Sequence, residues 1–432
     1  MATSALRGLA IGIEPEYCSY ARSGTPTSVS YNQADFIDVT QLLADGEALQ
    51  WTYADSRPGF WNAAREFARY TGSTNPVLRG SLTVDFLLRS WGGGTVAGEG
   101  LLRLLQTRLY KSEPKASIDT GVTVSSTGSL SGLSSSVAWG TMVARTMPDG
   151  RVTYGISRST SSTAPTLTPS ASWGSSTTAS VLRPMTTGTI TTRLYQLYSN
   201  YVDLPYGTAS SGAVRSSYCL RIYGDGWQQY CCGCVLSALK ISPESDGAIR
   251  VSCTLDVGAI VNVQASTEWT LLQPQVVRGP LLRAQGSPHI VNRWGSAIVQ
   301  PMTAPLYCRT WSLQVDWTLA KNADGASDYA GEPPEAVDCN VVAECVYVDY
   351  SALYNAVTSY KDYYYSVLIP FGGSLQANNL YGGCIMLPQA VVDDIGAWWT
   401  PDVSGDQVCR RYRWRASNNQ TSNLPALSLM VY

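Results

Sequence analysis

Apolar and polar residues alternate along several stretches of this chain, the period of a strand whose two faces meet different surroundings. The cleanest case is Ile249-Arg250-Val251-Ser252-Cys253-Thr254-Leu255-Asp256-Val257. Related patterns run over Gly80–Leu88, Tyr218–Tyr223, Gln229–Val235, Leu239–Ile241, Trp311–Leu319, Val341–Val348, Tyr364–Ile369, Arg411–Trp414 and Leu427–Val431. Turn residues separate several of them, as at Gly224-Asp225-Gly226 and Glu244-Ser245-Asp246-Gly247. Gly8–Glu16 reads as a short arm leading into strands that begin with Phe36–Val39. Helical spacing is scarcer. Glu99–Leu109 carries Leu101, Leu102, Leu104, Leu105 and Leu109 on one stripe and predicts a helix. Pro58–Tyr70 has Phe60, Ala63, Ala64 and Phe67 at helical spacing, with Trp61 breaking the face, and a short helix is expected near Val391–Trp399. Gln273–Asn292 has Pro, Gly and poor periodicity, which predicts a long projecting loop. Many short strands with few helices predict a mainly β fold.

From Ser112 to Thr192 the character changes to Ser, Thr and Gly with recurring Pro. Short strands are expected at Val122–Val124, Val137–Ala144, Val152–Tyr154, Thr166–Thr168 and Val181–Met185, with a Pro148-Asp149-Gly150 turn between two of them. That spacing predicts a small β-barrel or sandwich over 112–192, inserted into a core made of 1–111 and 193–432. A disordered Ser/Thr linker is the other reading, against which the recurring Val, Leu and Trp weigh.

Charge changes the picture. Hydrophobic residues make up 44% of the 432, but charged ones only 14%, against about 25% in an average soluble domain. Net charge is −2, and there are 26 Tyr and 13 Trp against 5 Phe. Surfaces buried against partners lose Lys, Glu and Asp and gain Tyr and Trp. Composition therefore leans towards assembly, with an ordinary Tyr-rich β protein as the alternative. Disorder needs low hydrophobicity and high net charge, and neither is present.

Candidate chemistry is sparse. The single histidine, His289, lies in the weakly patterned loop without a nucleophile motif, and a solvated loop residue is expected. Cys231-Cys232-Gly233-Cys234 offers one C-x-x-C pair but no second pair downstream. A core strand is favoured there, with Cys232 and Cys234 on one face and Cys231 on the other. A metal site, or a disulfide to Cys219 or Cys253, is the lesser reading. Eleven cysteines and no visible secretory signal predict mostly reduced, buried thiols. Arg410-Arg411-Tyr412-Arg413-Trp414-Arg415 is either a base-stacking patch or a strand with one charged and one aromatic face. The strand reading is favoured. Carboxylate pairs cannot be placed from sequence, no Walker or dinucleotide motif is present, and Asn419-Gln420-Thr421 fits a glycosylation sequon of little weight here. No catalytic residue, cofactor or metal ligand is assigned, and a non-enzymatic protein is expected.

The order of these pieces resembles the tail tube proteins (major tail proteins) of long-tailed bacteriophages. Ile11-Gly12-Ile13-Glu14-Pro15-Glu16 is similar to the family's Gly-rich, Glu-containing arm. Gly80–Leu88 followed by Gly98–Leu109 is similar to its strand and Leu-rich helix. Tyr230-Cys231-Cys232-Gly233-Cys234-Val235 through Ile241 to Asp246-Gly247-Ala248-Ile249 is similar to its hairpin. The motifs are degenerate, and the length and cysteine content depart from the family, leaving open a baseplate-proximal relative such as a distal tail protein. The resemblance implies a β-sandwich with a flanking helix, forming rings, typically hexamers, stacked into a tube that conducts DNA. Implied partners are other copies, the tape measure, tail terminator and distal tail proteins, and passing DNA, in a virion assembled in the host cytoplasm without membrane insertion. The arm and the 273–292 loop would tie rings together, the insertion would decorate the outside, and the bore would be neutral to acidic. A receptor- or carbohydrate-binding tail protein, a capsid or decoration protein, and a carboxylate hydrolase are the competing readings.

Overall fold

The structure, a computed structural model, describes residues 6–14, 17–18, 36–44, 49–54, 78–88, 105, 108, 110–111, 119–125, 129–133, 142–146, 152–157, 167–168, 177–182, 193–198, 217–224, 227–264, 283–284, 289–292, 308–319, 334, 336–348, 365–372, 382–392, 402–404, 407–416 and 425–431. The fold is mainly β. Before the Ser/Thr-rich segment come β1 (Leu6–Ile13), β2 (Phe36–Asp38), β3 (Leu49–Ala54), β4 (Leu78–Leu87) and β5 (Tyr110–Lys111). Within it lie β6 (Asp119–Val124), β7 (Leu130–Ser131), β8 (Met142–Thr146), β9 (Val152–Ser157), β10 (Leu167–Thr168) and β11 (Thr177–Leu182). Next are β12 (Arg193–Tyr198), β13 (Tyr218–Gly224), β14 (Trp227–Pro243), β15 (Ile249–Gln264), β16 (Arg283–Ala284), β17 (His289–Asn292) and β18 (Cys308–Leu319). The chain continues with β19 (Ala336–Val348), β20 (Tyr365–Gly372), β21 (Gly382–Val392), β22 (Asp402–Ser404), β23 (Gln407–Ala416) and β24 (Pro425–Val431).

Strands β6 to β11 pair among themselves in a six-stranded sheet ordered β10-β9-β8-β11-β6-β7, and the other eighteen form one larger sheet. Every pairing between these strands is antiparallel. The long β14 organises the larger sheet. One edge of it pairs with β15 from Trp227 to Pro243. Its other edge pairs with β13 over Trp227–Cys234 and with β18 over Ala238–Ile241. Two branches therefore leave the same strand: β13-β1-β2, and β18-β19-β23 leading on to β21. Bulges make the switch, since the register of β14 shifts near Gly233 against β13 and at Leu236/Ala238 against β15. An extra residue on one strand bends it and raises its twist. The two strands expected at Gln229–Val235 and Leu239–Ile241 are thus one strand, bent in its middle.

Rows of apolar residues cross the sheet in register. Val84, Cys253, Leu239, Val315 and Val341 are successive neighbours, and so are Phe86, Val251, Ile241, Leu313, Ala343 and Trp414. All are buried, and all belong to one hydrophobic cluster. The β14–β15 connection is the expected turn: Gly247 sits at φ 85 and donates its N–H to the Glu244 carbonyl at 2.9 Å.

Several expectations are corrected. Leu6–Ile13 is no arm but an internal strand, bonded to β13 on one edge and β2 on the other, with Leu9, Ala10 and Ile11 fully buried. Its glycines admit neighbours that a side chain would exclude, a Cβ at Gly8 lying 2.2 Å from Tyr223 Oη. The 273–292 region is not a bare loop, because β16 and β17 both pair with β20. Val391 and Val392, where a short helix was expected, end β21 and pair with Arg415 and Trp414. The described residues contain no α-helical element beyond isolated Leu105 and one 3-10 turn at Thr40–Leu42. A flanking helix is therefore not seen among them. Of Glu99–Leu109 only Leu105 and Arg108 are described, and the Pro58–Tyr70 helix lies outside the described residues. Leu105 joins the core, and buried Arg108 donates to the carbonyls of Leu236 (3.1 Å) and Pro334 (2.7 Å).

Candidate functional site

Two features stand out from the packing: a buried polar seam where β1, β13 and β14 meet, and the outer face of the sheet running β4-β15-β14-β18-β19-β23.

The seam is built by register. Ile13 of β1 faces Tyr218 and Gly12 faces Cys219; across β13, Tyr218 faces Cys234 and Leu220 faces Cys231. Two residues of β14, Cys232 and Gly233, are thus left opposite Cys219 alone. Gly233 takes φ +65 to close this bulge, a conformation glycine adopts without Cβ strain. The bulge also breaks side-chain alternation. Cys231 and Cys234, expected on opposite faces, both enter the core cluster, and Cys234 Sγ donates to the Cys231 carbonyl at 3.1 Å. Cys232 instead meets Cys219, Sγ to Sγ, at 3.7 Å.

Glu14 closes the seam. It is 3% exposed, and its Oε2 accepts from Ser217 Oγ at 2.7 Å and from the Gly233 N–H at 2.8 Å. Over the same bulge lies the turn of Tyr17 and Cys18, with Cys18 at φ 54. It fits because Gly233 and Gly258 lack side chains: a Cβ on either would lie 2.3 or 2.7 Å from Cys18 Sγ. The oxygen of Glu14 and the sulfurs of Cys219 and Cys232 all lie within 4.8 Å of one another, the one such trio among the described residues. Burial pushes the Cys219 thiol well up, and contact with Cys232 and the Glu14 carboxyl push the same way. Burial likewise holds the Cys231 and Cys234 thiols neutral. Chemically the trio is one hard and two soft donors in a dry setting.

No protein-family model matches this chain, and no curated protein matches its sequence.

The function of the chain has to be read from its own geometry, and most sequence candidates fall in ordinary places. His289 is not in a loop but begins β17, opposite Leu368. None of the ten cysteines whose side chains are described is disulfide-bonded, Cys219 and Cys253 included, and nine of the ten are buried. The sequon at Asn419 lies outside the described residues. Arg410–Arg415 is a strand: Tyr412 and Trp414 are buried while Arg411 and Arg415 are exposed. The rings stack on each other at 6.1 Å, with Tyr347 and Tyr365 edge-on to them, so they are closed to nucleic-acid bases. Sequence reasoning missed Glu14 and Ser217 as partners of the cysteines, because 203 positions separate the two. The one usable signal was a Glu directly after a buried apolar run.

The outer face is the converse of the core rows. Thr83, Thr254, Ala238, Asp316 and Asn340 form one row, and Asp85, Ser252, Lys240, Gln314, Val342 and Arg415 the next; beside them Leu87, Arg250 and Ser242 are neighbours on β4, β15 and β14, and Ser312, Glu344 and Arg413 on β18, β19 and β23. Hydroxyl or amide residues and charged residues are equally frequent on this face, with Ala238, Val342 and Leu87 among them, and the charges are of both signs. Thr83 and Thr254 share a 3.0 Å hydroxyl contact, Gln314 donates to Asp316 at 2.8 Å, and Arg250 bridges Asp85 (3.1 Å) and Glu244 (2.7 Å).

Proposed function

We propose that the chain is a structural protein that assembles with its own copies into stacked rings, hexameric in the family it resembles, forming the tail tube through which a long-tailed phage ejects DNA. The observation that carries this reading is the broad antiparallel sheet β4-β15-β14-β18-β19-β23, dry on one face and carrying hydroxyls, amides and charges of both signs on the other. Hydroxyls and amides desolvate at less cost than charges, and charges of both signs can pair across a contact with a second copy. Strand β3 pairs with β4 alone among the described residues, and such an edge is a natural place for a neighbour to extend the sheet. Three of the four tryptophans whose burial is described, Trp311, Trp317 and Trp414, are inside, which leaves little aromatic surface there for stacking sugars.

In this reading the core is a β-sandwich of the tail-tube kind, the 112–192 unit sits outside, and the tape measure, terminator and distal tail proteins are the further partners in the virion. A tube must let DNA slide, and arginines facing the bore would hold phosphates. Arg411, Arg413 and Arg415 are therefore placed at a contact between copies rather than on the bore. Electron microscopy of the purified chain tests the reading. Stacked rings or tubes are expected; discrete monomers at high concentration would overturn it.

A further inference from the structure

The seam of Glu14, Cys219 and Cys232 lies apart from the outer sheet face, and its chemistry does not depend on whether copies assemble. We propose that these three side chains bind a divalent cation of the zinc class, a structural site locking the end of β1 to the β13–β14 hairpin. The spacing fits the ion. With Zn–S bonds of about 2.3 Å, two thiolates on a tetrahedral centre stand about 3.8 Å apart, and the two Sγ atoms lie 3.7 Å apart. The carboxylate oxygen sits within the same 4.8 Å envelope, as a third ligand requires.

The donor set selects the ion. Calcium and magnesium take oxygen ligands, whereas a paired thiolate with a carboxylate suits zinc and its relatives. The surroundings are those of an oriented ligand. Ser217 Oγ–H and the Gly233 N–H both hold Glu14 Oε2, and partners of that kind fix ligands in metal sites. Cys18 Sγ packs against Gly233 beside the trio but is not among the atoms that lie within 4.8 Å of one another. No C-x-x-C motif is involved: the ligands come from three separate stretches of sequence, and Cys231 and Cys234 belong to the core.

The test uses the full chain, produced with zinc present and purified under reductant. Elemental mass spectrometry should find about one zinc per chain, and Co²⁺ exchanged into the wild-type protein should give a sulfur-to-cobalt charge-transfer band in the near ultraviolet. Cys219→Ser, Cys232→Ser and Glu14→Gln should each lower zinc content, and Ser217→Ala, which keeps every ligand, should weaken Co²⁺ binding roughly tenfold. Cys253→Ser and Cys345→Ser, buried cysteines outside the trio, should retain the ion. Because a core Cys→Ser change can unfold the chain, the wild-type cobalt spectrum and a fall in its melting temperature on chelation stand without any variant. Zinc-free wild-type protein that gives no thiolate band on Co²⁺ titration would overturn the proposal. So would a Cys219–Cys232 disulfide in peptide maps, or zinc retained in folded Cys219→Ser and Cys232→Ser proteins.

Discussion

Gly233 and Gly247 share a left-handed backbone but have different neighbours. A Cβ on Gly247 (φ +85) would meet nothing within 4 Å, whereas one on Gly233 (φ +65) would lie 2.3 Å from Cys18 Sγ and 2.8 Å from the Tyr17 ring. Gly247→Ala should therefore cost only its backbone term, about 1–2 kcal/mol. Gly233→Ala should add overpacking to that and cost about 3 kcal/mol or more. Urea unfolding of the two variants checks the difference, and equal losses would mean that the Tyr17–Cys18 turn does not press on the bulge. Buried thiols make a second residue-scale prediction. Burial, with Asp338 and Asp316 nearby, pushes Cys339 up to about 12, and burial raises Cys253 and Cys345 as well. Below about pH 8.5 these thiols are neutral in both folded and unfolded chains, and their stabilising effect is whole. Above that the unfolded chain ionises first, so stability should fall by up to about 1.4 kcal/mol per pH unit for each such thiol. Guanidinium unfolding with reductant between about pH 8 and 11 should show the fall, and Cys339→Ala should make it shallower.

At the scale of one element, β23 separates two roles that its sequence interleaves. Trp414 and Tyr412 are 0% and 1% exposed, while Arg411 and Arg415 point outward. Trp414→Ala should cost about 3–5 kcal/mol in unfolding experiments. Arg411→Ser should stay within about 0.5 kcal/mol for the separated subunit, yet lower the yield of assembled particles in sedimentation. A large loss of subunit stability in Arg411→Ser would show that the arginine face packs within one chain. This alternation was legible in the sequence because it is local: charged and aromatic residues succeed each other with the period of a strand. Strands β3, β12 and β21 were not anticipated. Gly382, Gly383 and Pro388 in β21 argue against a strand locally, and pairing with β20 and β24 overrides them.

For the whole molecule, low charge and a polar outer face make assembly the behaviour to measure. Sedimentation velocity over a wide range of concentration should show mass growing towards closed rings and stacks. Assembled particles should bind duplex DNA too weakly to detect at physiological salt, since the outer face carries mixed charge and Arg411, Arg413 and Arg415 lie between copies in the proposed assembly. Tight, salt-sensitive DNA binding would contradict the proposed passage. Strand content, the Glu244–Gly247 turn and the buried character of the cysteines followed from the sequence alone, because side-chain period, turn chemistry and hydrophobicity act over a few residues. The branching of β14, the burial of β1 and the meeting of Glu14 with Cys219 and Cys232 were decided only by tertiary structure. They depend on which distant strands lie side by side, and on one bulged glycine that turns Cys232 towards Cys219, and no local pattern encodes either.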